Sequence, residues 1–178
     1  TAEPRIVSNA KTISDLSYVE AAELAYFGAR VLHPKAIEPP RVKNIPIRVL
    51  NTLNRNHPGT LISDRATKNG VKAIASKNKI TIVKLRSDRM LDAHGYLAKI
   101  FNVFDNYRTS VDAIATSEVS VSCTVENTKY LDLITKELAK YGEVQVYENK
   151  SLICIVGDGI NETPGLPSTA LSLLKDYK

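Results

Sequence analysis

The sequence predicts an α+β chain, and three observations carry that expectation. The run "VSVSCTV" (Val119 to Val125) alternates strictly: Val119, Val121, Cys123 and Val125 point one way, Ser120, Ser122 and Thr124 the other, the period of a half-buried strand. The run "GYLAKIFNVFDNY" (Gly95 to Tyr107) instead repeats at helical spacing, with Leu97, Phe101 and Phe104 on one stripe that Ile100 and Val103 widen. From residue 79 to 148 such segments follow in the order β-α-β-β-α-β.

Before that unit the chain reads as helix, strand and loop. Residues 11 to 31 begin as loop and become helical. Ser17 and Glu20 stand at capping-box spacing, in which hydroxyl and carboxylate each satisfy an orphan backbone N–H. Ala21, Leu24, Ala25 and Gly28 form a narrow face of small residues suited to close packing, and His33-Pro34 is expected to end the helix. A short helix is expected from about Lys35 to Arg41, bounded by Pro39-Pro40. "IPIRVLNT" is expected as one strand and "NRNHPGTLIS" as loop, with its turn at Pro58-Gly59. One strand cannot make a sheet, so residues 1–62 read as the tail of an α/β domain that lacks most of its own sheet.

Residues 63–78 read as a linker followed by a strand, Val71 to Lys77. "KITIVKLR" is the first strand of the β-α-β-β-α-β unit, followed by the helix after Gly95 and by "TSVDAIA" and "VSVSCTV". Asn127 is the expected N-cap of a helix with the stripe Leu131, Ile134, Leu138, Tyr141, stopped at Gly142. "EVQVYE" closes the unit. Right-handed crossovers turn that order into a four-stranded antiparallel sheet with two helices on one face, the ferredoxin-like arrangement. The pattern then restarts. "SLICIVGDG" reads as a strand and "TPGLPSTALSLLKDYK" as a helix, a second unit cut off after two elements. A half-unit needs an edge strand from elsewhere, and Val71 to Lys77 is the candidate.

Composition narrows the function. No apolar run approaches the roughly 20 residues of a membrane span, and "TAEPRIVSNAK" has no signal or transit character, which points to a cytoplasmic protein and to the interior of a longer chain. Cys123 and Cys154 lie in strand-like apolar runs and read as buried hydrophobes in a reducing compartment. His33, His57 and His94 offer no metal-ligand spacing. The net charge of +5 comes from dispersed basic residues, with no run that marks a nucleic-acid face. The sheet displays Thr, Lys and Ser outward and no aromatic, which argues against RNA. "GDGINETPG" misses the dinucleotide-binding spacing, and no phosphate-binding loop or nucleophile elbow occurs.

What remains is a polar cluster around "VDAIATSEVSVSCTV". The expectation is that the loop "DRMLDAHG" lies at the same end of the sheet as Asp112. Backbone N–H groups at the Gly95 helix start would suit a carboxylate, and Asp112 and Glu118 would suit an ammonium, so that one notch takes a zwitterionic amino acid. The plainer alternative makes Asp112 and Ser117 turn residues and Glu118 a solvated charge.

Several stretches, "AEPRIVSNAKTI", "ELAYFGARVLHPKAIEP", "IPIRVLNT" and "PGTLIS", resemble the end of the catalytic domain of the aspartate kinases. "RMLDAHGYLAKIFNVF" and "TSVDAIATSEVSVSCTV" resemble the first of that family's two regulatory ACT domains. The resemblance implies residues 1–62 as the C-terminal remnant of an amino-acid kinase catalytic domain and 63–78 as a linker with a strand shared with the second ACT unit. Residues 79–149 would then be the first ACT domain and 150–178 a truncated second one. It implies a parent enzyme that phosphorylates aspartate with ATP and Mg2+, with Arg5 and Arg30 among its ATP contacts. Glu3 stands where the family commonly has Asp, and Arg30 where it commonly has Lys. It implies an effector pocket of Met90, Asp92, Ala93, Gly95, Leu97, Asp112, Thr116, Ser117, Glu118 and Val119 at a homodimer interface, for lysine or alternatively threonine. No catalytic residue, metal site, nucleic acid or membrane is implied for the fragment, which is expected to be inactive alone. The competing readings are a ligand-independent dimerisation module and the threonine-responsive region of a bifunctional aspartate kinase/homoserine dehydrogenase.

Overall fold

The structure, a computed structural model, describes residues 2–28, 32–67 and 70–177. The chain divides into two compact units, residues 1–76 with 153–178, and residues 77–152.

The first unit holds a small sheet of three strands. β1 (Asp15–Leu16) pairs in parallel with β3 (Thr60–Ile62), and β2 (Ile47–Val49) pairs antiparallel on its other side, with Ile47 opposite Ile62. The expectation of one strand and a long loop is therefore corrected: Thr60–Ile62 is the central strand. Strands of two and three residues carry no readable alternation, which is why they pass for loop.

α1 (Tyr18–Tyr26) starts with the expected capping box. Glu20 N–H donates to Ser17 Oγ at 3.1 Å, and Ser17 N–H donates to Glu20 Oε2 at 2.7 Å. The helix ends at Tyr26, before the expected stop. His33 instead caps α2 (Pro34–Val42), its Nδ1 accepting from Lys35 N–H. Pro39 and Pro40 lie inside α2 rather than bounding it. They lack N–H donors, but their carbonyls still accept, from Lys43 and Ile45, and the last turn closes. Leu16, Tyr18, Ala21, Leu24, Ile37, Ile62, Ala73, Ala75 and Val156 form the core of this unit. The small-residue face does allow a close approach at Gly28, where φ is 112 and an added Cβ would lie 2.7 Å from the Ser76 carbonyl.

Beneath this core one carboxylate organises three segments. Glu20 is 2 % exposed. Besides its capping role it accepts from Lys72 Nζ at 3.2 Å and from Asp158 N–H at 2.6 Å. Lys72 Nζ also lies 3.2 Å from Asp15 Oδ2, which in turn accepts from the Thr67 hydroxyl and N–H. A buried carboxylate is tolerated when its oxygens are this fully bonded. Lys72 N–H donates to the Val156 carbonyl and Gly70 N–H to that of Asp158, so the segment from Gly70 runs beside the chain around 156–158.

The second unit is built on a sheet of order β5-β6-β4-β7. β4 (Ala73–Arg86) and β7 (Glu143–Val156) are each one strand of 14 residues, where the sequence suggested two. Left-handed backbone at Lys79 (φ 60) and Asn149 (φ 52) marks the places where the sequence pattern breaks. β6 (Ser120–Val125) pairs antiparallel with β4, Val83 opposite Cys123, and with β5 (Ile114–Thr116), Ile114 opposite Cys123. Thr81, Val83 and Leu85 therefore face the helices, so Thr81, at 3 % exposure, is an inward residue and not part of the polar face.

α3 (Tyr96–Asn106) and α4 (Leu131–Leu138) cover that face. Ile100, Val103, Phe104, Ile134 and Leu138 are buried against Val83, Leu85, Val121, Cys123 and Val125. Full burial of such a side chain contributes about 1.5–3 kcal/mol, so these residues carry much of this unit's stability. Asn127 is not the α4 cap. Its Oδ1 accepts from Lys129 N–H in a turn one step earlier, and Tyr130 occupies the N-cap position. The helix α5 (Leu166–Leu173), in the first unit, buries no residue, and Leu171 and Leu173 are exposed.

Candidate functional site

The C-terminal end of β4 leads into the first group of candidate residues. Ser87 N–H donates to the Val119 carbonyl at 2.9 Å, and its hydroxyl accepts from Arg89 N–H. A 3-10 turn over Asp88–Met90 follows, then Asp92 in left-handed conformation (φ 53), and Gly95 (φ 70) as the N-cap of α3. No side chain caps this helix, so its first N–H groups have no side-chain acceptor at the cap, and nothing lies within 4 Å of where a Gly95 Cβ would be. Met90 and Leu97 are half-buried against the core, whereas Asp92 and Ala93 are exposed.

The second group stands beside the first. Ser117 and Ser120 face one another across Glu118–Val119, with Ser117 N–H to Ser120 carbonyl and hydroxyl to hydroxyl both at 2.8 Å. Because Val119 also accepts from Ser87, the structure brings Met90, Asp92, Ala93, Gly95 and Leu97 to one end of the sheet with Thr116, Ser117, Glu118 and Val119.

Asp112 is not there, and the expectation that it shares that end is corrected. Its N–H donates to the Thr124 carbonyl, at the far end of β6. Four residue steps along β6 separate Ser120 from Thr124, roughly 13 Å at strand rise. The cause is topological: a right-handed β-α-β crossover makes β5 run in the same direction as β4, with β6 between them, so β5 begins at the end of the sheet where β4 begins. Asp112 there meets Lys77, Nζ to Oδ2 at 3.4 Å, and Lys77 also reaches Glu126 at 2.9 Å. The side chains of Asp112 and Lys77 are only 6 % and 14 % exposed. Burial opposes the Lys77 charge, but the bonds to Glu126 and Asp112 outweigh it and hold its pKa above the ordinary value. Nothing in the sequence signals this partner, since Lys77 closes an unremarkable strand pattern.

The two Arg candidates belong to the first unit. Arg5 is exposed, bonds to the Glu3 carboxylate and lines an apolar cavity of about 650 Å³ with residues that include Leu16, Leu24 and Ile62. Arg30 lies outside the described residues. Among the described residues no cluster of His, Cys, Asp and Glu has the make-up of a metal site, and no helix is long and apolar enough to cross a membrane.

A four-stranded sheet covered on one face by two helices defines the ferredoxin-like class, and comparison with known proteins adds the family. The family model described as "Amino acid kinase family" matches residues 1–51. Aspartokinase 3, chloroplastic, of Arabidopsis thaliana is 40 % identical, covering 89 % of this chain and 30 % of the relative. E. coli aspartokinase III superposes in its structure with aspartate and ADP at a TM-score of 0.89 and 32 % identity, covering 100 % of this chain and 42 % of that one. In its structure with lysine and aspartate the TM-score is 0.82 at 33 % identity, covering 100 % and 41 %. A putative C-terminal regulatory domain of aspartate kinase from Porphyromonas gingivalis is 35 % identical, with a TM-score of 0.53 over 62 % of this chain and 75 % of that one. This chain belongs to the aspartate kinase family. It spans less than half the length of the full-length relatives it matches.

Proposed function

We propose that the chain is the regulatory portion of an enzyme that transfers the γ-phosphate of ATP to the side-chain carboxylate of aspartate, and that it binds lysine between two copies of itself. The observation that carries this reading is the edge strand β5. It is terminal in the sheet, and its Ile114, on the face that the helices cover elsewhere, is 52 % exposed. Two copies joined antiparallel along β5 bring the start of each β5 beside the end of the other. Asp112 of one copy then approaches the Gly95 helix start and the Ser117–Glu118 turn of the other. The Asp112 carboxylate for an ammonium and the backbone N–H groups for a carboxylate, held apart in one chain, meet twice across the two-fold. The structure of E. coli aspartokinase III with lysine supports the choice of ligand.

In the whole enzyme lysine favours one arrangement of the paired units, and its differential affinity sets the size of the inhibition. Of the residues assigned to ATP, Arg5 offers an exposed guanidinium that suits phosphate oxygens once freed from Glu3. Mg2+ would accompany the nucleotide, and no residue of this chain is assigned to it.

Titration calorimetry with lysine and threonine, alongside sedimentation, tests the proposal. The expected result is a dimer that takes up one lysine per Asp112 with threonine weaker, and loss of binding in Asp112→Ala. A folded dimer that gives no heat with either ligand, and whose melting temperature ignores both, would make it a plain dimerisation module.

A further inference from the structure

The carboxylate assigned to the effector is already occupied. Lys77 presents a primary ammonium to Asp112, the same chemical group that an amino-acid effector brings, and both side chains are largely withdrawn from water. Lys77 also has a second carboxylate within reach, Glu126, at the shorter distance of 2.9 Å and on a side chain that is 52 % exposed. We propose that Lys77 is an internal competitor for the effector: the incoming ammonium displaces Lys77 from Asp112, and Lys77 retreats onto Glu126. This inference rests on the effector reading above and adds the residue that sets its affinity.

The exchange is chemically symmetrical. One ammonium–carboxylate contact is broken and one of the same kind is made, and neither Asp112 nor Lys77 is left as an unpaired charge in a dry place. Glu126 makes this possible, because a displaced Lys77 with no second partner would be a buried cation without a counter-charge. Effector binding is therefore weakened by Lys77 and rescued in part by Glu126, and the two residues act in opposite directions although they are ion-paired to each other. The arrangement also disfavours ligands that carry no ammonium, since only a cation can take over the carboxylate that Lys77 vacates.

The competition is measured by titrating the chain with L-lysine in three forms. Lys77→Met removes the competitor, and lysine affinity is expected to rise at least about tenfold, the ratio one charge-assisted hydrogen bond supplies. Glu126→Gln removes the refuge, and affinity is expected to fall severalfold. A purely structural Lys77 predicts the same direction for both variants, and equal or weaker binding by a folded Lys77→Met overturns the competitor. Should Lys77→Met fail to fold, the unaltered chain answers: in NMR spectra of the isotope-labelled chain, the Lys77 side-chain signals are expected to shift when unlabelled L-lysine is added. Unmoved Lys77 signals overturn the idea. If the unaltered chain binds no lysine, the effector reading falls and takes this inference with it, whereas binding that Lys77→Met does not strengthen sinks only the competitor.

Discussion

The carboxylate of Glu20 accepts a hydrogen bond from the backbone N–H of Asp158 at 2.6 Å, tying the first turn of α1 to the loop that follows β7. The same side chain caps its own helix and holds Lys72. Glu20→Ala leaves the Lys72 ammonium, 7 % exposed, without one of its two carboxylates and the Ser17 and Asp158 N–H groups without acceptors. Breaking a buried pair from one side costs about 3–5 kcal/mol. Chemical denaturation is expected to show a loss of that size. Glu20→Gln, which keeps the acceptor oxygen and loses the charge, should lose less.

Gly142 is needed for space and not for backbone freedom. Its φ is not left-handed, but an added Cβ would strike the Arg86 carbonyl and come within 2.8 Å of Ser87 Cβ. The obstacle is mainly backbone, which cannot swing aside. Gly142→Ala is expected to destabilise the chain by about 1–3 kcal/mol, the usual penalty for overpacking. Gly95→Ala should be milder, since it meets open space and incurs only the left-handed strain of about 1–2 kcal/mol. Thermal melts of the two variants rank them.

Much of the second unit was legible because its signals are long. Six alternating residues define β6 and a full apolar stripe defines α3, and both stand where the pattern put them. Gly95 (φ 70) and Gly165 (φ 73) each cap a helix, and the interval between them also separates the left-handed Lys79 and Asn149. What failed was short or topological. β1 and β3 are too brief to show a period, and β4 and β7 run through left-handed residues that read as breaks. The expected placement of Asp112 failed for a reason no local pattern holds: which end of the sheet it occupies follows from the crossover, not from its neighbours in sequence.

Cys123 is 1 % exposed, and burial pushes its thiol up to about 11. Only the thiolate reacts readily, so at pH 8 Cys123 is expected to resist thiol reagents until the chain unfolds. Cys154, half-buried and less strongly shifted, should react first. Timed labelling with mass spectrometry of the two peptides checks the order, and equal rates would mean that the second unit's core opens readily.

Acid should loosen the first unit through Asp15. The Thr67 hydroxyl and N–H, followed by the Ser14 hydroxyl, hold its carboxyl below the usual range, with burial opposing them. A depressed carboxyl contributes stability above its unfolded pKa, about 3.9, and that contribution is lost as pH falls below it toward the folded value. Stability is therefore expected to drop between about pH 4 and pH 2, and Asp15→Asn to flatten that part of the profile while lowering stability at neutral pH. A profile of the same slope in the variant would assign the acid sensitivity elsewhere.

The proposed pairing along β5 makes its own demand on Ile114. Next to Cys123 on the helix-covered side of the sheet, it lies beyond the cover the helices give and is half exposed in the single chain. A second β5 would bury it and complete the hydrogen bonds of an open edge. Ile114→Lys puts a charge at that seam, and two copies place two like charges close together. The variant is expected to remain folded, because the position contributes little to the single-chain core, yet to sediment as a monomer and lose lysine binding with its partner's Asp112. Ile114→Val keeps the apolar contact and should behave as the parent chain. If Ile114→Lys still dimerises and still binds lysine, the seam lies on another face, and the meeting of Asp112 with the Gly95 helix start must be sought there.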